Sequence, residues 1–278
     1  GVVQDLTGFV ASMLYRGVDW VFYPTTLLSQ GDSCIGSKTS INVGNYKNVV
    51  GNFYPPSKVI IDTNLLNSLP SSQIKSGIGE MSHYFFIDGR LSFEYFKNNF
   101  KNPDYKDMIY KSLMIKKKMI EIDEFDQNER KVFNYGHTFG HAIESITDYS
   151  IPHGVAVSYG MIISNVVSYG LDYITKKEML EMNDVLFEIN GGCLPEFEFE
   201  EYLSLLKKDK KNIGKNLGSC VFTDQRSDRP VMHPTRDEPV FMAIAETLGF
   251  DPYRQKVSCP LYQNGSRVGW GGAMGPSQ

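Results

Sequence analysis

Residues 130–153 read RKVFNYGHTFGHAIESITDYSIPH and contain three of the five histidines of this 278-residue chain. His137 and His141 are four residues apart, so on a helix they lie on one face, one turn above each other. His153 follows twelve residues after His141. Imidazole suits zinc, cobalt and iron, and a catalytic site commonly combines three protein ligands with one open position. The spacing therefore indicates a metal site, with two ordinary helix histidines near a loop histidine as the alternative.

Neighbouring residues favour the metal interpretation. Glu80 stands in the otherwise apolar segment SGIGEMSHY, residues 76–84, and carboxylates are rarely buried unless they are paired or bind a metal. Gly136 and Gly140 allow close approach of another segment, and Arg130 and Asn134 lie on the preceding turn. His83, one turn from Glu80, is a second polar candidate: it could support a ligand, contact a substrate or be partly exposed.

Composition excludes several classes of protein. The chain is 41% hydrophobic and 22% charged, as expected for a soluble globular protein. A net charge of −4 gives no reason to expect nucleic acid or an anionic membrane as partner. Four scattered cysteines without a C-x-x-C spacing predict reduced thiols: Cys34, Cys193, Cys220 and Cys259. No run is apolar enough to span a bilayer and no signal peptide opens the chain, so we expect a cytoplasmic protein.

The hydrophobic pattern divides the chain into three parts. Residues 1–70 read as α/β, with a short helix at 9–15 and buried parallel strands at 19–22 and 59–62. The next part, residues 71–222, reads as all-helical. Its predicted helices are 71–86, 105–122, 137–146, 155–169, 176–190 and 199–208. Residues 223–278 form an atypical tail with one plausible helix at 238–248. The tail could be a small element, a disordered extension or sequence foreign to the rest.

Two polar clusters in the first part suggest phosphate binding. The chain opens GVVQDLTGF, residues 1–9, and a glycine turn leading into a helix can present N–H groups to a pyrophosphate. Many helices begin after glycine, so this signal is weak by itself. The second cluster comprises Thr25, Thr26, Asp32, Lys38, Lys47 and Asn48. Lysines and amides beside a threonine pair could hold phosphate, with a solvated loop as the alternative.

The combination of these motifs resembles the 3-dehydroquinate synthases and, more broadly, the sugar phosphate cyclases. The resemblance rests on FNYGHTFGHA at 133–142 with His153-Gly154, on Asp32, Lys38 and Lys47-Asn48, and on the opening nine residues. It extends from residue 1 to about residue 222. It implies a Rossmann-like NAD-binding α/β domain, incomplete in this chain, followed by a helical metal-binding domain. It also implies a homodimer, with the active site between the two domains of each subunit.

Site residues follow from the resemblance position by position. The implied ligands of zinc or cobalt are Glu80, His137 and His153, and His141 lies beside the substrate. The implied NAD contacts are Gly1, Val2, Val3, Asp5, Thr25, Thr26, Lys38, Lys47, Leu65, Leu66, Asn67 and Ser68. The implied substrate contacts are Asp32, Lys38, Asn48, Lys116, Arg130 and Asn134, with Lys210 at the phosphate and Arg16 reaching the neighbouring subunit's phosphate. For Lys116, a solvated basic helix face is the alternative.

The implied activity is that of a carbon–oxygen lyase in aromatic amino acid biosynthesis (the shikimate pathway). A heptulosonate 7-phosphate is converted to a carbocycle with release of phosphate. The resemblance implies transient oxidation by NAD, elimination, reduction, ring opening and an intramolecular aldol, with the metal polarising a substrate oxygen. The cofactor performs the redox chemistry, and the protein supplies orientation and charge.

Departures from the family pattern concern the substrate and the cofactor domain. His83 stands where the family usually has lysine, and Gln4 replaces a usual glycine of the pyrophosphate turn. Arg130 and Asn134 retain the pattern of dehydroquinate synthases, whereas 2-deoxy-scyllo-inosose synthases tend to have glutamate at the second position. We therefore expect a divergent dehydroquinate synthase or a close cyclase that uses a related acidic sugar phosphate.

The ends of the chain lead to a further expectation. The family's NAD domain has a first β-α-β portion before the glycine turn, and the tail does not resemble the family's closing helices. We expect a fragment of a longer protein, and the predicted lyase activity belongs to that complete protein. The alternatives are a metal-dependent polyol dehydrogenase and an inactive metal-binding fragment. The lysine set argues against the dehydrogenase: Lys38, Lys47 with Asn48, and Lys210.

Overall fold

The computed structural model describes residues 1–43, 46–191 and 196–207, and the backbone of six short strands between residues 217 and 267. Within these ranges, the side chains of residues 42, 46, 47 and 207 are not described. An α/β part precedes a helical part, which confirms the predicted fold class.

The first part of the chain begins with helix α1 (Val2–Met13), which is longer at its start than the predicted helix. Strand β1 (Val21–Phe22) pairs in parallel with β4 (Lys58–Val59), as the sequence predicted. The predicted burial of the first strand is wrong, because Val21 is 47% exposed. Among the described strands, β1 and β4 pair only with each other.

An antiparallel hairpin separates β1 from β4. Its strands are β2 (Lys38–Val43) and β3 (Tyr46–Phe53), with Lys38 opposite Phe53. The hydroxyl of Thr39 donates to the carbonyl of Asn52 across the pair, at 3.0 Å. The sequence analysis assigned no strands to this region and gave a solvated loop only as an alternative, although two alternating runs flank a Gly-Asn dipeptide, which is a hairpin signal. Lys38 therefore stands at the start of a strand and not in an irregular loop.

The helical part contains α2 (Ser71–Ile87), α3 (Arg90–Asn99), α4 (Tyr105–Ile122), α5 (His137–Ile146), α6 (His153–Gly170), α7 (Lys176–Asn190) and α8 (Phe199–Lys207). Every predicted helix of this part is present with ends within about two residues, whereas α3 was not predicted. Short side-chain caps begin two of them: Asp104 accepts from the N–H of Lys106 at the start of α4, and Thr175 forms a capping box with Glu178 at α7. Two 3-10 helices, Thr63–Ser68 and Glu129–Asn134, precede α2 and α5.

The core of this part surrounds α6, which is buried from Gly154 to Ser168. Helices α2, α5 and α7 pack against it, and α3 adds a stacked aromatic row of Phe85, Phe96 and Phe100 against α2. Apolar side chains all around α6 are typical of a helix enclosed by others.

Glycines set the distances between these helices. An added Cβ at Gly154 would lie 1.8 Å from the carbonyl oxygen of Ser76, and one at Gly79 would lie 2.2 Å from that of Gly154. On the other side of α6, a Cβ at Gly136 would lie 2.7 Å from the carbonyl oxygen of Val157, and its φ of +77° also suits glycine. The close approach predicted from the glycines is thus confirmed, and it brings the first residues of α5 and α6 against the middle of α2.

Beyond α8 the described elements are short strands. β5 (Phe197–Glu198) pairs with β9 (Lys256–Val257), which also pairs with β8 (Phe250–Asp251). β6 (Leu217–Phe222) pairs with β7 (Pro230–Thr235), and β10 (Tyr262–Gln263) with β11 (Ser266–Arg267). The strands β5 and β6 are exceptions within the part predicted as all-helical. The helix predicted at 238–248 lies outside the described residues, in which no helix is long and apolar enough to cross a bilayer.

Candidate metal centre and substrate pocket

Glu80, His137 and His153 converge from three helices. Glu80 lies in the middle of α2, and the two histidines are the first residues of α5 and α6. The Nε2 atom of His137 is 3.5 Å from Oε1 of Glu80, and that of His153 is 3.2 Å from Oε2. One ligand atom from each residue lies within 4.8 Å of the other two. Two imidazoles and a carboxylate form a donor set that suits a divalent metal ion such as zinc or cobalt.

The second nitrogen of each histidine faces an oxygen. Nδ1 of His137 lies 3.2 Å from the carbonyl oxygen of Tyr135, and Nδ1 of His153 lies 3.1 Å from Oε2 of Glu144. Both oxygens can only accept from the ring, so a neutral imidazole carries its proton on Nδ1 and directs the Nε2 lone pair toward Glu80. The ring of His141 lies 5.5 Å from that of His137 and 5.6 Å from that of His153, between centroids.

Glu80 and the adjacent histidines interact electrostatically. Burial raises the pKa of Glu80, but the adjacent His153 and His137 outweigh it and hold that pKa well below the ordinary range. Burial lowers the pKa of His153, and the carboxylates of Glu80 and Glu144 reverse this and raise it to about 10. Glu80 is 3% exposed, and its Oε2 accepts no hydrogen bond from the described residues. A buried carboxylate oxygen without a donor is what a metal ion would satisfy.

His83 lies directly under this cluster. Its Nδ1 faces the carbonyl oxygen of Glu80, and its ring centroid is 3.9 Å from that of Tyr84 and 5.2 Å from that of His137. Burial lowers the pKa of His83 to about 4. Its Nε2 is buried without a hydrogen-bond partner among the described residues. Position 83 therefore holds a buried, uncharged ring.

A second polar cluster consists of Tyr84, which lies one turn after Glu80 on α2, together with Asp32 and Lys116. Nζ of Lys116 lies 2.6 Å from Oδ1 of Asp32 and donates to its carbonyl oxygen at 2.8 Å. The hydroxyl of Tyr84 donates to the same Oδ1 of Asp32. Lys116 is 6% exposed, so the alternative of a solvated basic face is wrong for this residue. The pair links the turn at Ser29–Ser33 to α4.

Arg130 joins this cluster from the 3-10 helix before α5. Its guanidinium donates to the carbonyl oxygens of Glu124, at 2.5 Å, and of Gly36, at 3.2 Å. A Cβ added at Gly36, whose φ is +109°, would lie 2.6 Å from the guanidinium and 3.3 Å from Lys116. The loop at Gly36 thus passes between two buried cations. Its glycine leaves room for both.

Other predicted substrate residues lie around these clusters. Lys38 pairs with Asp126 at 2.5 Å, with half of the lysine side chain exposed, and the amide oxygen of Asn48 accepts from Ser40 at 2.8 Å. Asn134 donates to the carbonyl oxygen of Lys131 at 2.9 Å. Arg16 is exposed and has a left-handed backbone, with φ +67°. Lys210 lies outside the described residues.

The predicted NAD residues occupy three short segments. Gly1, Val2, Val3 and Asp5 form the start of α1, where Gln4 and Ser33 exchange two hydrogen bonds of 2.8 and 2.9 Å. Thr25 is exposed, and Thr26 caps the turn that begins at Ser29. The third segment, Leu65, Leu66, Asn67 and Ser68, belongs to the 3-10 helix before α2, with Leu66 buried. The side chain of Lys47 lies outside the described residues.

Comparison with known proteins identifies the family. The model of the 3-dehydroquinate synthase N-terminal family matches residues 1–76, and that of the C-terminal family matches residues 77–212. The 3-dehydroquinate synthase of Pelagibacter ubique is 37% identical over 252 residues, which cover 83% of this chain and 68% of that protein. The chain belongs to the 3-dehydroquinate synthase family.

Other members and a solved cyclase agree with this assignment. The 3-dehydroquinate synthase of Dictyoglomus thermophilum is 38% identical over 221 residues, 77% of this chain and 62% of that protein. The chain thus spans less than two thirds of the length of this relative. The crystal structure of 2-deoxy-scyllo-inosose synthase complexed with carbaglucose-6-phosphate, NAD+ and Co2+ has a TM-score of 0.76 and 25% identity, over 88% of this chain and 71% of that one. The fold is therefore that of the sugar phosphate cyclases and 3-dehydroquinate synthases.

The prediction from sequence missed two residues of the site. The hydroxyl of Tyr84 donates to Asp32 and its ring contacts that of His83, and Tyr84 lies one turn after Glu80 on the same face of α2. Glu144 contacts His153 and lies two turns after His137 on α5. The helical spacing of 3.6 residues per turn would have pointed to both as neighbours of Glu80 and His137.

Proposed function

We propose that this chain is the metal- and substrate-binding part of a 3-dehydroquinate synthase, which converts a heptulosonate 7-phosphate to a carbocycle with release of inorganic phosphate. The convergence of Glu80, His137 and His153 on one point beside the buried Lys116 and Arg130 carries the proposal. The combination unites a metal site with buried cations for an anionic substrate. Under this proposal residues 1–70 contribute to the NAD domain and residues 71–222 to the metal and substrate domain.

The described donors fit the proposed cofactors. Zinc or cobalt would be held by Glu80, His137 and His153, whose buried carboxylate otherwise lacks a donor at Oε2. NAD would lie along the start of α1, the Thr25-Thr26 turn and the Leu65–Ser68 segment, together with Lys38 and Lys47. When bound, NAD supplies reversible oxidation at a substrate carbon and the metal supplies Lewis-acid polarisation.

The residues of the chain would bind and orient the substrate. Arg130 has a planar guanidinium suited to a carboxylate, and Lys116 and Asn134 add donors beside it. Asp32, held by Lys116 and Tyr84, would accept from a substrate hydroxyl. His141 stands next to both metal-site histidines and would move a proton at its ring nitrogen. Lys38, Asn48, Lys210 and the partner-directed Arg16 would bind the phosphate.

The proposal also covers the reaction class, the pathway, the cellular compartment and the oligomeric state. We assign the activity to the carbon–oxygen lyases, to aromatic amino acid biosynthesis and to a cytoplasmic homodimer. The buried free thiol of Cys34 suits a reducing compartment. The exposed Arg16 at the end of α1 is accessible to a second subunit.

An assay of phosphate release tests the proposal. The chain is loaded with Co2+ and incubated with NAD and heptulosonate 7-phosphate, and inorganic phosphate and the carbocyclic product are measured. We expect release that depends on both metal and NAD, and its loss in His137→Ala. A folded, metal-loaded and NAD-bound protein that releases no phosphate would exclude this substrate. A closely related acidic sugar phosphate is then the next to be tested.

A metal-binding unit without NAD binding is the second candidate. Helix α1 exposes apolar side chains, with Val2 83%, Val3 80% and Leu6 50% accessible, and these lie where the cofactor residues were predicted. A stable nucleotide site needs such side chains covered. Metal analysis combined with NAD titration separates the candidates, because one equivalent of Co2+ without NAD binding supports the metal-binding unit alone.

A further inference from the structure

The buried carboxylate of Glu144 contacts His153 and has no role in the reaction proposed above. It lies on α5 one turn after His141 and two turns after His137, so three polar side chains share one face of this helix. The residue is 7% exposed. The ionic partner that the structure gives its carboxylate is His153, at 3.1 Å between Oε2 and Nδ1.

The chemistry of this contact fixes the tautomer of His153. A carboxylate offers only acceptors, so the facing Nδ1 must carry a proton. In a neutral imidazole the other nitrogen, Nε2, then has a free lone pair. Nε2 is the atom that lies 3.2 Å from Glu80. Glu144 thus determines which nitrogen of His153 faces the proposed metal position.

The two histidines of the site differ in this respect. His137 is oriented by the backbone carbonyl of Tyr135, which no side-chain substitution removes. His153 depends on a side chain, which is negatively charged and almost completely buried. A carboxylate behind a ligating imidazole raises its basicity and adds charge that complements a divalent cation. His153 is also the more exposed of the two, 33% against 13%, so it has more freedom to turn away.

We propose that Glu144 is a positioning residue: its carboxylate holds the Nδ1–H of His153 and thereby presents Nε2 to a divalent metal shared with Glu80 and His137. This inference rests on the proposed function in requiring a metal at these three residues. It assigns Glu144 no contact with substrate. A buried carboxylate of α5 becomes part of the metal site through the histidine alone.

Titration with Co2+ tests the proposal, followed by the visible absorption of the bound ion. We expect Glu144→Gln to weaken Co2+ binding by about tenfold, because the amide oxygen still accepts from Nδ1 but lacks the charge. We expect Glu144→Ala to weaken it by about a hundredfold and to alter the absorption band. Glu144→Asp should restore part of the affinity lost in Glu144→Ala.

A double-mutant cycle separates positioning from general damage. In a His153→Ala protein, adding Glu144→Ala should change Co2+ affinity no further, because the residue acts only through His153. Glu181→Gln is the matched control: it breaks ion pairs between α7 and α3, with Arg90 and Lys97, and should leave Co2+ affinity unchanged. Circular dichroism and urea unfolding establish that each variant is folded, and Glu144→Gln preserves the side-chain volume should Glu144→Ala fail to fold.

The outcomes distinguish this inference from the proposed function. Wild-type protein that binds Co2+ while Glu144→Gln and Glu144→Ala bind it equally well overturns the role of Glu144 alone. An undiminished effect of Glu144→Ala in the His153→Ala background also overturns it. Absence of Co2+ binding by folded wild-type protein overturns both.

Discussion

Replacing Gly154 with alanine would push α6 away from α2 at the point where the proposed metal ligands meet. The added Cβ would lie 1.8 Å from the carbonyl oxygen of Ser76 and 2.7 Å from the N atom of Glu80, whereas real Cβ contacts are essentially never below 3.0 Å. Both neighbours are backbone atoms, so no side chain can turn aside. The two helices must separate locally by roughly 1.2 Å.

Gly154→Ala should lower both the free energy of unfolding and the affinity for Co2+. Overpacking costs about 1–3 kcal/mol, and strain on the 3.0 Å bond from the N–H of Gly154 to Ser76 adds about 1 kcal/mol. We expect a loss of about 3 kcal/mol in the free energy of unfolding after the small propensity gain of alanine. A shift of roughly 1.2 Å also exceeds the tolerance of about 0.2 Å in metal–ligand distances, so Co2+ affinity should fall by more than about tenfold.

Urea unfolding and Co2+ titration measure these two effects, with Gly170→Ala as control. Gly170 ends the same helix, and a Cβ there would have no atom within 4 Å. This control should keep wild-type affinity and lose no stability. A Gly154→Ala protein with wild-type stability and Co2+ affinity would refute the conclusion that the α2–α6 contact sets the distance between Glu80 and His153.

Two further substitutions test the ion pairs. Lys116→Met leaves Asp32 buried without its cation, so we expect the free energy of unfolding in urea to fall by about 3 kcal/mol. Adding Asp32→Asn should recover most of this loss, and a loss below about 1 kcal/mol would contradict a buried pair. The hydrogen bond from Arg90 lowers the pKa of Glu181 from 4.5 to about 2. The ionised Glu181 therefore stabilises the folded protein fully above pH 4.5, and this contribution disappears as the pH falls through 2. The stability difference between wild type and Glu181→Gln should therefore shrink between pH 6 and pH 2, and a difference independent of pH would contradict the assignment.

Helices with a regular apolar stripe were predictable because their signal is local. Helix α5 begins and ends where the sequence predicted, at His137 and Ile146, since a 3.6-residue period requires no knowledge of the partner helix. Helix α3 had a readable stripe, Phe93, Phe96 and Phe100, but its ten residues lie between two stronger patterns. The hairpin of β2 and β3 was missed because its lysines were interpreted as phosphate contacts, with loop residues as the alternative, and not as strand residues.

Pairings across the chain were not predictable from sequence. Lys38 meets Asp126, and Lys116 meets Asp32, because loops and helices far apart in sequence pack together. No local pattern carries that information. Lys116 is buried because the turn at Ser29–Ser33, far away in sequence, packs over its helix face. From sequence alone, that face could be interpreted as basic and solvated.

By itself the sequence determined the types of ligand and their helical spacing. His137, His141 and Glu144 share a face of α5 because successive residues of a helix are separated by a fixed rotation. The family resemblance also implied Glu80 and His153, but only the tertiary structure brings their side chains to this face. Gly79 and Gly154 let the backbones of α2 and α6 approach closer than any Cβ permits, and that contact distance is a property of two helices together. For His153 the same packing decided which nitrogen faces the site, because Glu144 of α5 holds the other nitrogen. For His137 a local contact, the carbonyl oxygen of Tyr135, has this role.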